Sequence, residues 1–149
     1  MTFDQSISTC FQKYVVFSGR APRSELWWFV LFVTVIHLLL GFIEGRLLPG
    51  MTDPEAGLGP LTGLWSLLTL LPTISVNVRR LHDRDRSGWW YWLWLVPLVG
   101  GIVMLVWFCR RGTQGPNRFG PDPLAPPAAP LERPWEVPSV PRPQDRGQP

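Results

Sequence analysis

A chain of 149 residues has room for one domain. Apolar residues make up 46% of it and charged residues 17%, below the roughly 25% charged content that is usual in soluble domains. The apolar residues are clustered rather than spread along the chain, which separates a membrane protein from a soluble protein with a large core. The composition therefore argues against an ordinary soluble domain.

The first predicted element is a short amphipathic helix near the N-terminus. Apolar side chains recur there at helical spacing, at Phe3, Ile7, Phe11, Tyr14 and Val15. A stretch of this kind lies on a membrane surface with its apolar face in the lipid. The segment "SGRAPRSE" then ends it, because Gly19 permits a turn and Pro22 suits the first turn of the next helix.

Three long apolar runs follow, at residues 26–43, 61–78 and 88–109. Each is close to the roughly 20 residues that a helix needs to cross the hydrocarbon layer. Backbone groups in lipid must be satisfied within the segment, so each crossing must be helical. The sequence predicts an all-α integral membrane protein with three transmembrane helices. The first run acts as a retained anchor, because no small-residue cleavage site follows it.

The distribution of Lys and Arg predicts the orientation, because these residues are enriched on the cytoplasmic side. If the chain crosses the membrane three times, the side that holds the N-terminus carries Lys13, Arg20, Arg23, Arg79, Arg80, Arg84 and Arg86. The other side carries Arg46, Arg110, Arg111 and Arg118. We therefore expect a cytoplasmic N-terminus and an external C-terminus, although the Arg110–Arg111 pair argues against it. Cys10 and Cys109 would then lie on opposite sides, too far apart for a disulfide.

The last 26 residues, 124–149, form a proline-rich tail. Eight of them are Pro and few are aliphatic. Such a segment cannot bury enough apolar surface to offset the entropy of ordering it, so we expect it to be disordered. Residues 1–123 are then a single membrane domain.

Four blocks of sequence carry a resemblance to a known family. They are "FSGRAPRSELWWF", "LPTISVNVRRLHDRDRSGWW", "LVPLVGGIVMLVWFC" and "GTQGPNRFGPDP". Together they resemble the domain-of-unknown-function 805 family of small bacterial inner-membrane proteins, over roughly residues 11–123. The resemblance implies a multi-pass protein of the bacterial inner membrane. It implies no activity, cofactor or catalytic residue.

The loop before the third run is the richest in charge. Candidates for binding anionic lipid headgroups or a partner are Arg20, Arg23, Arg79, Arg80, Arg84 and Arg86. The alternative interpretation is that these residues only fix the orientation. Orientation does not require the interleaved Asp83 and Asp85. We therefore expect one of the two to pair with Arg20 or Arg23 and lock the first span to this loop.

A second candidate region lies inside the predicted spans. His37 on the first span and Ser66, Thr69 and Asn77 on the second lie on polar faces that meet if the two helices are antiparallel. His37 either hydrogen-bonds a hydroxyl and holds the helices together, or belongs to a transport pathway. No acidic residue lies inside a predicted span, which favours the first interpretation.

The sequence favours a non-enzymatic accessory or scaffold protein that binds partners or anionic lipid through its Arg-rich loop. The alternative function is a subunit of an oligomeric transporter or channel that uses the polar face around His37. An enzyme acting on headgroups would have to rely on His82, Asp83 and Asp85, which offer too few ligands for a metal site. We expect no cofactor, metal or nucleic acid, and a homo-oligomer or another membrane protein as partner.

Overall fold

The computed structural model describes residues 1–48, 50 and 59–126, and these residues form helices joined by turns. The helices are α1 (Phe3–Gln12), α2 (Arg23–Leu47), α3 (Pro60–Asp83), a 3-10 helix (Gly88–Leu95) and α4 (Val99–Cys109). Within these ranges the only β-type pairing is an isolated bridge between Asn117 and Gly120. The predicted all-α class agrees with this architecture. From residue 127 onward, the proline-rich tail lies outside the described residues.

Helices α2 and α3 form an antiparallel pair, and both are long and apolar enough to cross a bilayer. Their 25 and 24 residues correspond to about 36 Å of helix, against about 30 Å of hydrocarbon. Trp65, in the second turn of α3, joins them by donating from its indole N–H to the carbonyl of Val33, near the middle of α2, at 3.3 Å. Much of the outer surface of the pair is exposed and apolar, as at Leu38 and Leu67. That surface suits contact with lipid.

The third apolar run differs from the prediction, because it is not one helix. It divides into the 3-10 helix and α4, with 8 and 11 residues, and each is only about 16 Å long. Pro97 has no N–H to continue the first element, and Leu98 takes a positive φ of 61°. A Cβ at Gly100 would overlap the carbonyl oxygen of Leu93, so only glycine lets α4 start this close. The run is a helical hairpin, and each of its arms is about half as long as the hydrocarbon layer is thick.

The hairpin returns the chain to the end of α3 from which it started. Beyond α4, the backbone N–H of Thr113 donates to the carbonyl of Asp83 at 2.8 Å, and Arg23 donates to the carbonyl of Cys109 at 3.2 Å. The structure therefore does not place Cys10 and Cys109 at opposite ends of the α2–α3 pair, as the sequence predicted. Both cysteines lie at the same end of the α2–α3 pair, and both are free thiols.

Helix α1 packs across the first turns of α2 through aromatic contacts. The ring centroids of Phe3 and Trp28 are 5.6 Å apart, and those of Phe11 and Phe29 are 5.8 Å apart, both edge to face. The first turn of α1 is closed by the Gln5 side chain, which accepts from the backbone N–H of Thr2 at 3.0 Å. Phe3 and Phe11 keep part of their surface exposed, as the sequence predicts for a helix at a membrane surface.

The segment after α1 repairs a gap in the hydrogen bonds of α3. Pro72 lies inside α3, and a proline has no N–H to offer the carbonyl four residues earlier, that of Leu68. The hydroxyl of Tyr14 donates to this carbonyl at 2.6 Å. Ser75 also binds this segment, donating to the carbonyl of Val16 at 2.7 Å. Tyr14 therefore attaches the N-terminal segment to α3 where the proline frees an acceptor.

We expect Tyr14→Phe to lower the free energy of unfolding by about 1 kcal/mol, the usual net contribution of one hydrogen bond. In a Pro72→Ala background, the backbone N–H at position 72 can donate to the carbonyl of Leu68. Tyr14→Phe should then lower the free energy of unfolding by much less. Thermal unfolding in a mild detergent would measure both effects, with Tyr91→Phe as the control. Equal losses in the two backgrounds would contradict this role for Tyr14.

We expect a cysteine at Gln114 to be labelled by a membrane-impermeant maleimide from the same side as a cysteine at Ser18. A cysteine at Arg46, at the opposite end of α2, should be labelled from the other side. The background variant is Cys109→Ala and can keep Cys10. Burial, together with the charge of Glu25, raises the pKa of the Cys10 thiol to about 12, so this thiol stays protonated and unreactive. Labelling of Gln114→Cys and Arg46→Cys from one side would contradict the hairpin.

Candidate functional site

The candidate site is a polar cap at the end of the α2–α3 pair where α3 stops. Three separate parts of the chain meet in it: the turn before α2, the last turn of α3, and the segment after α4. At its centre are two adjacent arginines, Arg79 and Arg80, which are both 0% exposed. Charged side chains are almost never fully buried unless they are paired, so their partners define the cap.

Arg79 joins the end of α3 to the start of α2. One of its terminal nitrogens donates to the carboxylate of Glu25, which is also buried. The sulfur of Cys10 lies 3.9 Å from the same carboxylate, so α1 closes over this ion pair. Among the described residues, Nε and Nη2 of Arg79 have no hydrogen-bond partner. Glu25 therefore provides most of the compensation for this buried charge.

Arg80 holds the hairpin. It forms an ion pair with Asp83, one turn further along α3, and donates to the carbonyls of Phe108, at 3.2 Å, and of Arg110. These carbonyls belong to the end of α4, where the last carbonyls of a helix have no partner within it. A cation at this position also interacts favourably with the helix dipole. Arg80 thus caps α4 and attaches it to α3.

Asp83 is the point at which the three parts of the chain meet. Its carboxylate lies 2.9 Å from the guanidinium of Arg20 and also pairs with Arg80. Its backbone carbonyl accepts from the N–H of Thr113 at 2.8 Å and from the hydroxyl at 3.1 Å. A Cβ at Gly112 would overlap the Asp83 carboxylate. The segment after α4 can therefore approach this closely only with glycine there.

Arg20 connects the turn before α2 to the segment after α4. Besides Asp83, it donates to the carbonyl of Gly115 at 2.6 Å and to that of Thr113. We expected Asp83 or Asp85 to pair with Arg20 or Arg23. In the structure Asp83 pairs with Arg20, whereas Asp85 is exposed and pairs with Arg118 at 3.1 Å.

His82 lies between the same segments. Its ring stacks on that of Phe119, with centroids 3.9 Å apart and planes within 3° of parallel. Its Nδ1 is 3.2 Å from the carbonyl of Gly19, and its own carbonyl accepts from the side chain of Asn117 at 2.9 Å. These contacts give His82 a packing role. Within the described ranges, no group of three His, Cys, Asp or Glu residues is placed to hold a metal.

The structure separates the six arginines proposed for headgroup binding into two sets. Arg20, Arg79 and Arg80 are buried with their guanidinium groups in the cap, so we reassign them from headgroup binding to structure. Arg23 is exposed, while Arg84 and Arg86 are partly exposed. These three arginines therefore keep N–H donors on the outer surface of the cap.

Two further arginines, absent from the predicted set, join the exposed ones. Arg110 and Arg111 are exposed, and Arg111 accepts at its carbonyl from Arg84. Burial, followed by the like charges of Arg110 and Arg86, lowers the pKa of Arg84, which indicates crowded positive charge. Arg86 lies over the ring of Trp107, 4.0 Å from its centroid, and this contact holds it in place. The exposed arginine rim consists of Arg23, Arg84, Arg86, Arg110 and Arg111.

The hydroxyls on the polar face of α3, which was predicted to meet His37, form hydrogen bonds within α3 itself. Ser66 donates to the carbonyl of Thr62, and Thr69 donates to that of Trp65, each at 2.8 Å. His37 is partly buried on α2, and in the described part of the chain it is hydrogen-bonded to neither hydroxyl. Among these described residues, the structure does not show the expected bond between His37 and either hydroxyl, and each hydroxyl donates instead to the turn before it.

Two buried carboxylates were missed, because the predicted first span stopped short of both. Glu25 and Glu44 lie inside α2, near its two ends. Glu44 accepts from the N–H groups of Leu61 and Thr62 and from the Thr62 hydroxyl, the last at 2.6 Å. A carboxylate at these orphan N–H groups caps the start of α3. In the sequence, a single acidic residue next to each end of the apolar run was the signal that could have identified them.

The long apolar helices and the charged cap define a small helical membrane protein. The chain belongs to the family described as "Protein of unknown function (DUF805)", which matches residues 14–121. That range includes all three parts of the cap.

Three relatives from Escherichia coli strain K12 are similar to most of the chain. It is 43% identical to "Inner membrane protein YhaH" over 112 residues, which cover 75% of this chain and 90% of YhaH. It is 44% identical to "Inner membrane protein YhaI" over 112 residues, 75% of this chain and 89% of YhaI. It is 32% identical to "Uncharacterized protein YiiR" over 133 residues, which cover 71% of this chain and 84% of YiiR. No solved structure matches significantly.

We expect Asp83→Asn to lower the free energy of unfolding by about 3–5 kcal/mol, because it leaves two buried guanidinium groups without a countercharge. Asp85→Asn is the matched control: it breaks an exposed pair that contributes about 0–1 kcal/mol. Thermal unfolding in a mild detergent would compare the two. Similar small losses in both variants would show that the cap does not depend on Asp83.

Proposed function

We propose that this protein is a non-enzymatic protein of the bacterial inner membrane that binds anionic phospholipid through its exposed arginine rim. The observation that carries the proposal is the convergence of these arginines at one end of the α2–α3 pair. Arg forks bind phosphate in a bidentate geometry. Basic side chains at an anionic membrane surface contribute about 1 kcal/mol each.

The proposal includes a topology of two crossings, α2 and α3, with the N-terminus in the cytoplasm. Of the Lys and Arg residues that the structure describes, Arg46 alone lies at the far end of α2, and the other ten lie at or near the cap. Cytoplasmic enrichment of Lys and Arg supports this orientation. The pair Arg110–Arg111, which opposed it when three crossings were assumed, now supports it.

The hairpin supports binding at the membrane surface in a second way. Its exposed apolar residues, among them Trp89, Leu95 and Leu98, face outward over a depth of about half of the hydrocarbon layer. Helix α1 presents Phe3 and Phe11 at the same end. Both elements place apolar surface beneath the arginine rim, so headgroup and acyl contacts act together.

The alternative function, an oligomeric transporter using the polar face around His37, has less support. The hydroxyls of Ser66 and Thr69 are directed at carbonyls of their own helix. They are therefore poorly placed to line a pathway for a solute. Binding of a protein partner through the same rim is an outcome that the experiment below can detect.

The test is co-isolation of lipid with the protein from native membranes in detergent-free discs, with the bound lipids and proteins identified by mass spectrometry. In a variant with Arg84, Arg86, Arg110 and Arg111 changed to Gln, we expect anionic lipid enrichment to fall by more than about tenfold. Arg46→Gln, at the end of α2 far from the cap, should leave the anionic lipid enrichment unchanged.

Raising the ionic strength should weaken the enrichment for the unmodified protein, because exposed charges are screened. An unchanged lipid composition in a folded rim variant would exclude headgroup binding by the rim. Loss of a protein instead of a lipid would assign the rim to a protein partner.

A further inference from the structure

A cavity of about 250 Å³ lies between α2, α3 and the hairpin, directly below the cap. Its apolar walls come from Leu26 and Val30 of α2, Trp94 of the 3-10 helix, and Leu105 and Phe108 of α4. It runs from the capped end of α4 toward the turn of the hairpin, because Trp94 is near that turn. Its volume is below the roughly 300 Å³ at which sites for drug-sized molecules begin, and its walls are mostly apolar, so it suits part of a hydrocarbon chain.

One polar side chain, Asn77 of α3, also lines the cavity. It is only 8% exposed, and no hydrogen bond joins its amide to any other residue in the described ranges. An amide carries two donors and an acceptor. The amide atoms of Asn77 are not among the fully buried side-chain atoms that lack a partner, so they keep some accessible surface. The amide of Asn77 is therefore free to pair with a polar group of a molecule in the cavity.

The depth of Asn77 indicates what that group is. Asn77 precedes Arg80 by three residues, which places it about 4.5 Å below the cap along α3. Arg23 lies three residues before the lining residue Leu26 and donates to the carbonyl of Cys109, next to the lining residue Phe108, at 3.2 Å. From the cap inward, the region thus offers an exposed cation, an amide donor and an apolar slot.

We infer that this cavity holds the ester-proximal part of one acyl chain of a glycerophospholipid, with the amide of Asn77 donating to the ester carbonyl and Arg23 facing the phosphate. A diacyl phospholipid presents these groups in the same order: phosphate, ester carbonyl, hydrocarbon chain. Water alone would satisfy Asn77 but would leave the apolar walls hydrated. This inference rests on the proposed function for the headgroup, and adds to it a specific site for the ester and the chain.

The test uses two phosphatidylglycerols that carry the same headgroup and charge, one with ester-linked and one with ether-linked chains. The purified full-length protein is loaded with each lipid, washed with detergent, and the retained lipid is counted by native mass spectrometry. We expect the ester lipid to be retained about fivefold more tightly than the ether lipid, which lacks the carbonyl acceptor. Asn77→Leu, of similar volume, should remove the difference.

The same measurement separates this inference from the proposed function. The four-arginine rim variant should weaken retention of both lipids and keep the preference for the ester. Equal retention of ester and ether lipids by the unmodified protein would overturn the cavity assignment, whether or not the rim binds headgroups. If the rim variant retains both lipids as tightly as the unmodified protein, the proposed function fails instead.

A second variant keeps the test valid if Asn77→Leu fails to fold. Leu105→Trp narrows the slot from the α4 wall and leaves Asn77 and the rim unchanged. We expect it to reduce retention of the ester lipid, whereas Leu38→Trp on the exposed outer surface of α2 should have no effect. Unchanged retention in a folded Leu105→Trp protein would also overturn the assignment.

Discussion

The structure depends on one buried carboxylate, that of Asp83, which lies between Arg20 and Arg80. A buried guanidinium without a countercharge is strongly unfavourable. Two of them can be tolerated here only if the turn before α2 and the end of α3 come together. Both arginines also donate to carbonyls beyond the end of α4, so the segment after the hairpin must reach the same place.

This convergence explains why the third apolar run reverses direction. Carbonyls at the end of α4 and in the following segment are acceptors for Arg80 and Arg20. A third crossing would carry these acceptors to the opposite membrane surface and leave both guanidinium groups short of partners. Pro97 and Gly100 make the reversal sterically feasible, and the pairing in the cap provides the reason for it.

Burial of part of the charge decides which arginines remain on the surface. Arginines that the sequence presents as equivalent divide into an interior set and the exposed arginine rim. The hairpin and α1 then lie beside α2 and α3 next to the cap, which makes the protein wider there than at the far end. The phospholipid proposed above would meet the rim, the amide of Asn77 and the apolar slot at successive depths.

The sequence by itself determined the elements whose cause is local. Uncharged runs of sufficient length give α2 and α3, and the spacing of Phe3, Ile7 and Phe11 gives α1. It also limited the central ion pair to a few combinations of Asp83, Asp85, Arg20 and Arg23. Only the tertiary structure decided which pair forms, whether residues 88–109 cross or return, and which arginines are buried. These outcomes depend on hydrogen bonds between residues far apart in the chain, such as Asp83 with Thr113, and hydropathy along the chain contains no information about such pairing.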